Sequence, residues 1–293
     1  MTPTTRRFSS SDSAMLAEAT AQFDSLKAEF AKENSDLVQC NLFLSELKLK
    51  LIQLGHLEID PSTAAADPFR RQVLSLARDV LEVGAFWSIR AGDFDSFERY
   101  IVQLHRFYFE FASGAGASGK GNVLTPSHRM HTLVGLDLLR LLAQGRIADF
   151  HTALERIDLD AIGNSTLLQY PVNLEQQVTV GNYKKVWALR EDVPAPEYLV
   201  FVDVLLDTIR AEIARCCERS YKSLPMEDAA NLLFLDAQNE IAQFAHERGW
   251  TIEAMDRVIK FEANDEMTAE TAYKPTRTMQ QTLHYARELE RII

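Results

Sequence analysis

Apolar side chains return at helical intervals along most of this chain. Between Ser13 and Leu57, Met15, Phe23, Leu26 and Phe30 make one stripe; Leu42, Leu44, Leu47, Leu51 and Leu54 make a second, which Gly55 can end. An Ala-rich loop bounded by Pro61 and Pro68 follows. From Phe69 to Ile157 one design recurs. A helix through Val80, Val83, Phe86 and Trp87 ends at Ala91-Gly92, and Asp93-Phe94 opens an aromatic helix with Phe97, Tyr100, Phe107, Tyr108, Phe109 and Phe111. A third helix carries Leu136, Leu139 and Leu142 toward Gly145, and a fourth carries Phe150, Leu154 and Ile157. The turns at Gly92, Gly145 and Gly181 share one order: helix, Gly, a polar residue, then an aromatic or aliphatic one. Helix pairs recurring at unequal intervals predict a degenerate all-α solenoid of helical hairpins.

The stretch Tyr170 to Glu218 organises the rest. A helix with Leu174 and Val178 stops near Gly181, and Asn182 is placed to cap the next, with Tyr183, Val186 and Trp187 inward. After Pro194 and Pro196 comes a long helix, Glu197 to Glu218, with Leu199, Phe201, Val202, Leu205, Leu206, Ile209 and Ile213. It is apolar over most of its girth, which predicts a central helix packed on several sides.

Beyond it, Pro225 at a first turn opens a helix with Ala229, Leu232 and Leu233 inward. Asn239 opens another with Ile241, Phe244 and Ala245, and Trp250 to Ile252 and Val258 to Phe261 are two short β-like runs. Helix, helix, hairpin is the order of a winged helix. Glu262 to Arg277 reads as a linker, and Thr278 to Ile293 as a last helix striped by Met279, Leu283, Ala286, Leu289 and Ile292, with Ile293 at its end. Such a stripe needs a surface to bury it, either its own body or a partner.

Charge and cysteine usage narrow the classes. The net charge of −11 repels phosphate backbones, so non-specific nucleic-acid binding is disfavoured. Within the expected winged helix, the second helix carries Glu240, Glu247 and a single arginine, Arg248, a poor reader of DNA. Three cysteines suit a reducing compartment. No run reaches the roughly 18 to 20 apolar residues of a membrane span. Arg6, Arg7 and nearby serines without an apolar core read as a disordered tail over residues 1–12.

No candidate chemical motif in the sequence is complete. Gly114 to Gly121 matches the start of a phosphate-binding loop through Gly114, Gly119 and Lys120, but Gly121 stands where a Mg²⁺-binding hydroxyl is needed. An aromatic helix precedes it instead of a strand. A nucleotide-dependent enzyme built on that loop is the reading from a different class, and a DNA-binding regulator using the winged helix is a third. His128 and His131 lack a third ligand at metal-site spacing. Cys216 and Cys217 read as small hydrophobes. Glu98, Arg99, Glu110 and Asp137 read as solvated charges or structural ion pairs. No catalytic residue, metal or cofactor is expected.

A resemblance runs through the same segments. PVNLEQ (171–176), GNYKKVW (181–187) and DVLLDTIRAEIA (203–214) resemble runs of the PCI-family scaffold subunits of the proteasome lid. So do GAFWSI (84–89), SFERY (96–100), QLHRFYFEF (103–111) and GLDLLRLLAQGRIADFHTALERI (135–157), in the same order. The likeness covers about two-thirds of the chain, from Val83 on, and is weak before it. It implies a helical-repeat region over 13–220, a winged helix over 221–265 inside a PCI module of about 95–270, a linker over 266–277 and a bundle helix over 278–293. It implies a non-catalytic scaffold in a hetero-oligomer of the cytoplasm and nucleus, serving lid assembly and ubiquitin-dependent protein degradation. Lid neighbours would be met through the winged-helix edge around Trp250, Ile252, Val258 and Phe261, and through Met279, Leu283, Ala286, Leu289, Ile292 and Ile293 in a shared helix bundle. Small PCI subunits of the signalosome and of translation-initiation complexes are the alternative within the same class.

Overall fold

A computed structural model describes residues 10–30, 32, 37–55, 67–111, 124–125, 127–235, 238–253, 257–261 and 275–291. The tail over 1–9, the Gly114 to Gly121 loop, most of the expected linker, and Ile292 and Ile293 lie outside the described residues. The chain divides into two compact units, Met1–Thr208 and Ile209–Ile293, and the division falls within one long helix.

The first unit begins with a helical hairpin, α1 (Ser10–Phe30) and α2 (Leu37–Gln53), which packs on α3 (Pro68–Ala91). Leu16, Ala19, Phe23 and Leu26 of α1 are buried, as are Cys40, Leu44, Leu47 and Leu51 of α2 and Leu54 just after it. Spacings of four and three keep each set on one face. Leu42 does not belong to the buried set. It is exposed, because a residue two positions from Leu44 points to the far side of the helix. Cys40 takes the inward place.

Gly92 ends α3 at φ +72°, and its amide donates to Ile89 O at 3.1 Å. Glycine adopts this left-handed turn without strain. The Asp93 carboxylate then accepts from the Ser96 amide at 3.0 Å, capping α4 (Phe94–His105). These helices meet closely at Gly84, where a Cβ would lie 2.5 Å from Cε1 of Tyr100. From Arg106 to Phe111 the chain widens into a π-turn, and Phe107, Tyr108 and Phe111 are all buried. The Tyr108 hydroxyl donates to buried Glu82 Oε1 at 2.8 Å.

The remaining helices of this unit are α5 (Met130–Ala143), α6 (Ile147–Glu155), α7 (Leu159–Asn164), α8 (Thr166–Val180), α9 (Tyr183–Leu189) and the start of α10 (Pro196–Ser220). Gly145 and Gly181 close α5 and α8 at positive φ, so the recurring turn order describes real helix ends. Asn182 makes no side-chain cap, a correction to the expected role. Val186 is buried, with Tyr183 and Trp187 half-buried. The most enclosed helix is α5, buried at every residue from Leu133 to Ala143. In α10, Phe201, Val202, Leu205, Leu206 and Ile209 are buried but Leu199 is exposed. That helix keeps a wet face through Asp207, Thr208, Glu212 and Arg215, so it is less surrounded than its composition implies.

One device holds α5, α8 and α10 in register. Pro171 sits inside α8 and has no amide to offer the Leu167 carbonyl four residues back. The Tyr198 hydroxyl of α10 lies 3.3 Å from Leu167 O and 3.1 Å from Thr132 O, so its single proton serves one carbonyl or the other. Gly135 of α5 makes room for it: a Cβ there would stand 2.1 Å from that hydroxyl oxygen. Burial first, then the charge of Glu197, pushes Tyr198 ionisation upward, so the hydroxyl stays a donor.

The second unit packs the end of α10 with β1 (Ser223–Pro225), α11 (Met226–Leu233), α12 (Gln238–Glu247), β2 (Thr251–Glu253) and β3 (Val258–Lys260). The strands form an antiparallel sheet in the order β1-β3-β2, pairing Leu224 with Ile259 and Ile252 with Ile259. Cys217, Leu224, Ala229, Ile241, Ile259 and Phe261 form its core. Two expectations change here. Pro225 ends a strand and caps α11 from outside the first turn, and Leu232 is exposed while Ala229 and Leu233 face inward. The last described element is α13 (Pro275–Glu290).

Candidate interaction surfaces

Two of the surfaces expected from the sequence can be placed. The first is α13. Every described side chain from Thr278 to Arg291 is exposed, including Met279, Leu283, Ala286 and Leu289. Tyr285 is exposed as well. Met279, Leu283 and Ala286 follow at intervals of four and three, the seam spacing of a helix that packs on another helix.

The second is the small sheet. Its strand order leaves β2 at one edge and β1 at the other, and an edge strand presents unpaired amides and carbonyls. The four residues expected around this edge divide by burial. Ile252 is exposed on β2, whereas Phe261 is buried and Val258 and Trp250 are half-buried. Trp250 is held inside its own unit: its indole N–H donates to Glu218 Oε1 at 2.8 Å, and its ring meets Phe244 and Phe261 edge-on at 5.7 and 5.0 Å. Trp250 and Phe261 therefore support the edge from within the unit, and of these four residues Ile252, which lies opposite buried Ile259, is the exposed one. Arg248, the one arginine of the supposed DNA-reading helix, donates to Ala211 O at 3.0 Å and lies 3.6 Å from Glu218. Its charge is committed within the unit.

The charged residues noted in the sequence belong to the scaffold. Buried Asp137 accepts two bonds from buried Arg140, at 2.8 and 3.0 Å, and lies 3.4 Å from His105 Nε2. Glu98 bridges Arg140 at 3.2 Å and Arg146 at 3.1 Å. Burial pushes the Asp137 carboxyl up, but the bond with His105 and the charge and bonds of Arg140 outweigh it and hold the group below its ordinary range.

Among the described residues no group of three or more His, Cys, Asp or Glu is placed to hold a metal ion. Cys217 is buried and Cys216 exposed, so only the first fits the small-hydrophobe reading. A groove of about 450 Å³ opens beside Phe30, Val83 and Phe86. Arg90 and Arg129 lie over the Phe30 and Phe86 rings, at 4.0 and 5.6 Å. No Ser, Cys or His lines it among the described residues. No described helix is long and apolar enough to cross a membrane.

Comparison with known proteins bears on what these surfaces serve. The profile of the CSN8/PSMD8/EIF3K family matches residues 128–271. The chain is 33% identical over 278 residues to the 26S proteasome non-ATPase regulatory subunit 8 homolog A of Arabidopsis thaliana, covering 95% of this chain and 98% of that protein. It is 32% identical over 276 residues to the 26S proteasome non-ATPase regulatory subunit 8 of Caenorhabditis elegans, covering 94% of this chain and 100% of that one. The chain belongs to the CSN8/PSMD8/EIF3K family. A third relative, the 26S proteasome regulatory subunit RPN12 of Saccharomyces cerevisiae, is 33% identical over 274 residues, 90% of this chain and 95% of its own.

The family segment 128–271 begins just ahead of α5 and includes the Tyr198 lock and the β1-β3-β2 sheet. Likeness to full-length members reaches further. An alignment covering 95% of the chain takes in most residues ahead of Val83, so the similarity extends well before the quoted runs. Two features escaped the sequence reading: the Gly135–Tyr198–Pro171 arrangement, which no local rule encodes, and a second apolar stripe on α2, whose spacing was visible.

Proposed function

We propose that the chain is a non-catalytic scaffold subunit of the 19S regulatory-particle lid of the 26S proteasome. The observation that carries this reading is likeness to proteasome regulatory subunits along nearly their whole length. The second unit supports a winged helix: two helices between β1 and a β2–β3 hairpin, with β1 added on the far side of β3. In this reading residues 13–220 brace the body, 221–265 form the winged helix of a PCI module spanning about 95–270, and 266–277 tether the last helix. The β2 edge around Ile252 would accept a strand of a neighbouring lid subunit by augmentation. The stripe Met279, Leu283, Ala286, Leu289, Ile292 and Ile293 would enter a shared helix bundle. The assembly would be hetero-oligomeric, without nucleic acid or membrane, and would work in cytoplasm and nucleus in ubiquitin-dependent degradation.

Sedimentation of cell lysate tests both parts. Intact chain should travel with peptidase-active proteasome, and a chain lacking Leu289 to Ile293 should shift toward a light pool because it loses apolar contact from the stripe. Co-sedimentation with a signalosome or translation-initiation complex in place of the proteasome would move the assignment within the family.

A further inference from the structure

On α2 the buried stripe Cys40, Leu44, Leu47 and Leu51 has a counterpart on the opposite face. Val38, Leu42, Leu49 and Ile52 are 71%, 63%, 62% and 55% exposed. With Ser45 between them they follow intervals of four and three, and at roughly 100° per residue they fall within about 40° of one line. The Ser45 hydroxyl donates to Asn41 O at 2.8 Å, so this polar member presents no unsatisfied group at the seam. Lys48 and Lys50, on either flank, are turned away: Lys48 lies 4.2 Å over the Tyr100 ring and Lys50 is 3.3 Å from Glu18. Their aliphatic stems therefore do not cover the stripe. A helix apolar on two opposite faces is built to be packed on both.

We infer that this outer face of α2 docks an amphipathic helix with a matching four-three apolar seam, contributed by a different subunit of the same assembly. Size selects this occupant over a second copy. From Val38 to Ile52 the stripe is about 21 Å long, and one helix is about 10 Å wide. That footprint, on the order of 200 Å² a side, is a fraction of the roughly 800 Å² per partner in a stable binary interface. The contact holds only where another interface already keeps the partner close, so that the effective concentration is high. The inference therefore rests on the reading of the chain as an assembly subunit.

The test places the photo-crosslinker p-benzoylphenylalanine at Leu49 in the full chain, with a control at exposed Gln72 of α3. Complexes are isolated through a tag on this chain, checked for peptidase activity, and irradiated. The expected result is one heavier cross-linked band from position 49, containing a peptide of another subunit, and none from position 72. Leu42→Glu with Leu49→Glu should leave the helical circular dichroism and melting temperature of the isolated chain unchanged. Built into the complex, this double variant should raise the fraction of chain lost in a moderate-salt wash at least threefold. If the chain enters the active complex and position 49 yields no band, or joins two copies of this chain, the docking inference fails and the scaffold reading stands. A chain that never enters any complex overturns the scaffold reading, and this inference with it.

Discussion

Gly135→Ala should destabilise the folded chain by about 2–4 kcal/mol, the sum of overpacking and a disturbed buried hydrogen bond. The added Cβ would lie 2.1 Å from the Tyr198 hydroxyl oxygen and 2.8 Å from Leu167 O, one of them main chain that cannot swing aside. If Tyr198 moves, Leu167 O and Thr132 O lose the one hydroxyl proton they share, the group that stands near the place of the missing Pro171 amide. Gly163→Ala is the control, since nothing lies within 4 Å of its added Cβ and helix propensity favours alanine. Urea unfolding followed by circular dichroism reads both. Tyr198→Phe alone should cost about 1–2 kcal/mol for the lost hydroxyl. In the Gly135→Ala background it should instead recover part of the loss, because it removes the atom in collision. Strict additivity of the two changes would contradict the lock.

Asp137→Ala should cost about 3 kcal/mol or more, since it leaves the Arg140 guanidinium buried with one carboxylate fewer. Arg140 keeps Glu98 at 3.2 Å and Gln144 Oε1 at 3.0 Å, which places the effect near the lower end of the range for broken buried pairs. Replacing both Asp137 and Arg140 with leucine should cost less than Asp137→Ala alone, because no charge is then stranded in the core. The pair also sets an acid limit. The folded-state Asp137 carboxyl is held below its ordinary range, so its contribution is complete above the unfolded value of about 3.9 and is lost as pH falls below that toward the folded value. Wild-type stability should therefore fall more steeply below about pH 4 than that of the double-leucine variant. Parallel acid profiles would contradict this account.

Features governed by neighbouring residues were legible in the sequence. The turns at Gly92, Gly145 and Gly181 follow from backbone geometry at one position, and the Pro194–Pro196 break fixes where α10 starts. Sidedness was less legible. Leu42, Leu199 and Leu232 look inward by composition, yet each faces solvent, because burial depends on which neighbour packs there. Cys40 in the core and Leu42 outside show the same ambiguity on a helix with two apolar faces. Strand β1 has three residues and ends in Pro225, too short for alternation to register. The Tyr198 contact joins residues 31 and 66 positions apart, a distance no local pattern spans. For the proposed contact residues, exposure separates Ile252 and the α13 stripe from Trp250 and Phe261, which hold the second unit together.

Affinity isolation of the tagged full chain decides whether it enters the proteasome as a structural subunit. Native gel electrophoresis of the eluate, developed with a fluorogenic peptide, should show the chain in a peptidase-active band. Depleting the chain should slow degradation of a ubiquitylated substrate while peptide cleavage by the free core particle persists. A tagged chain recovered at the mass of its monomer, or in a large complex without peptidase activity, would contradict the account.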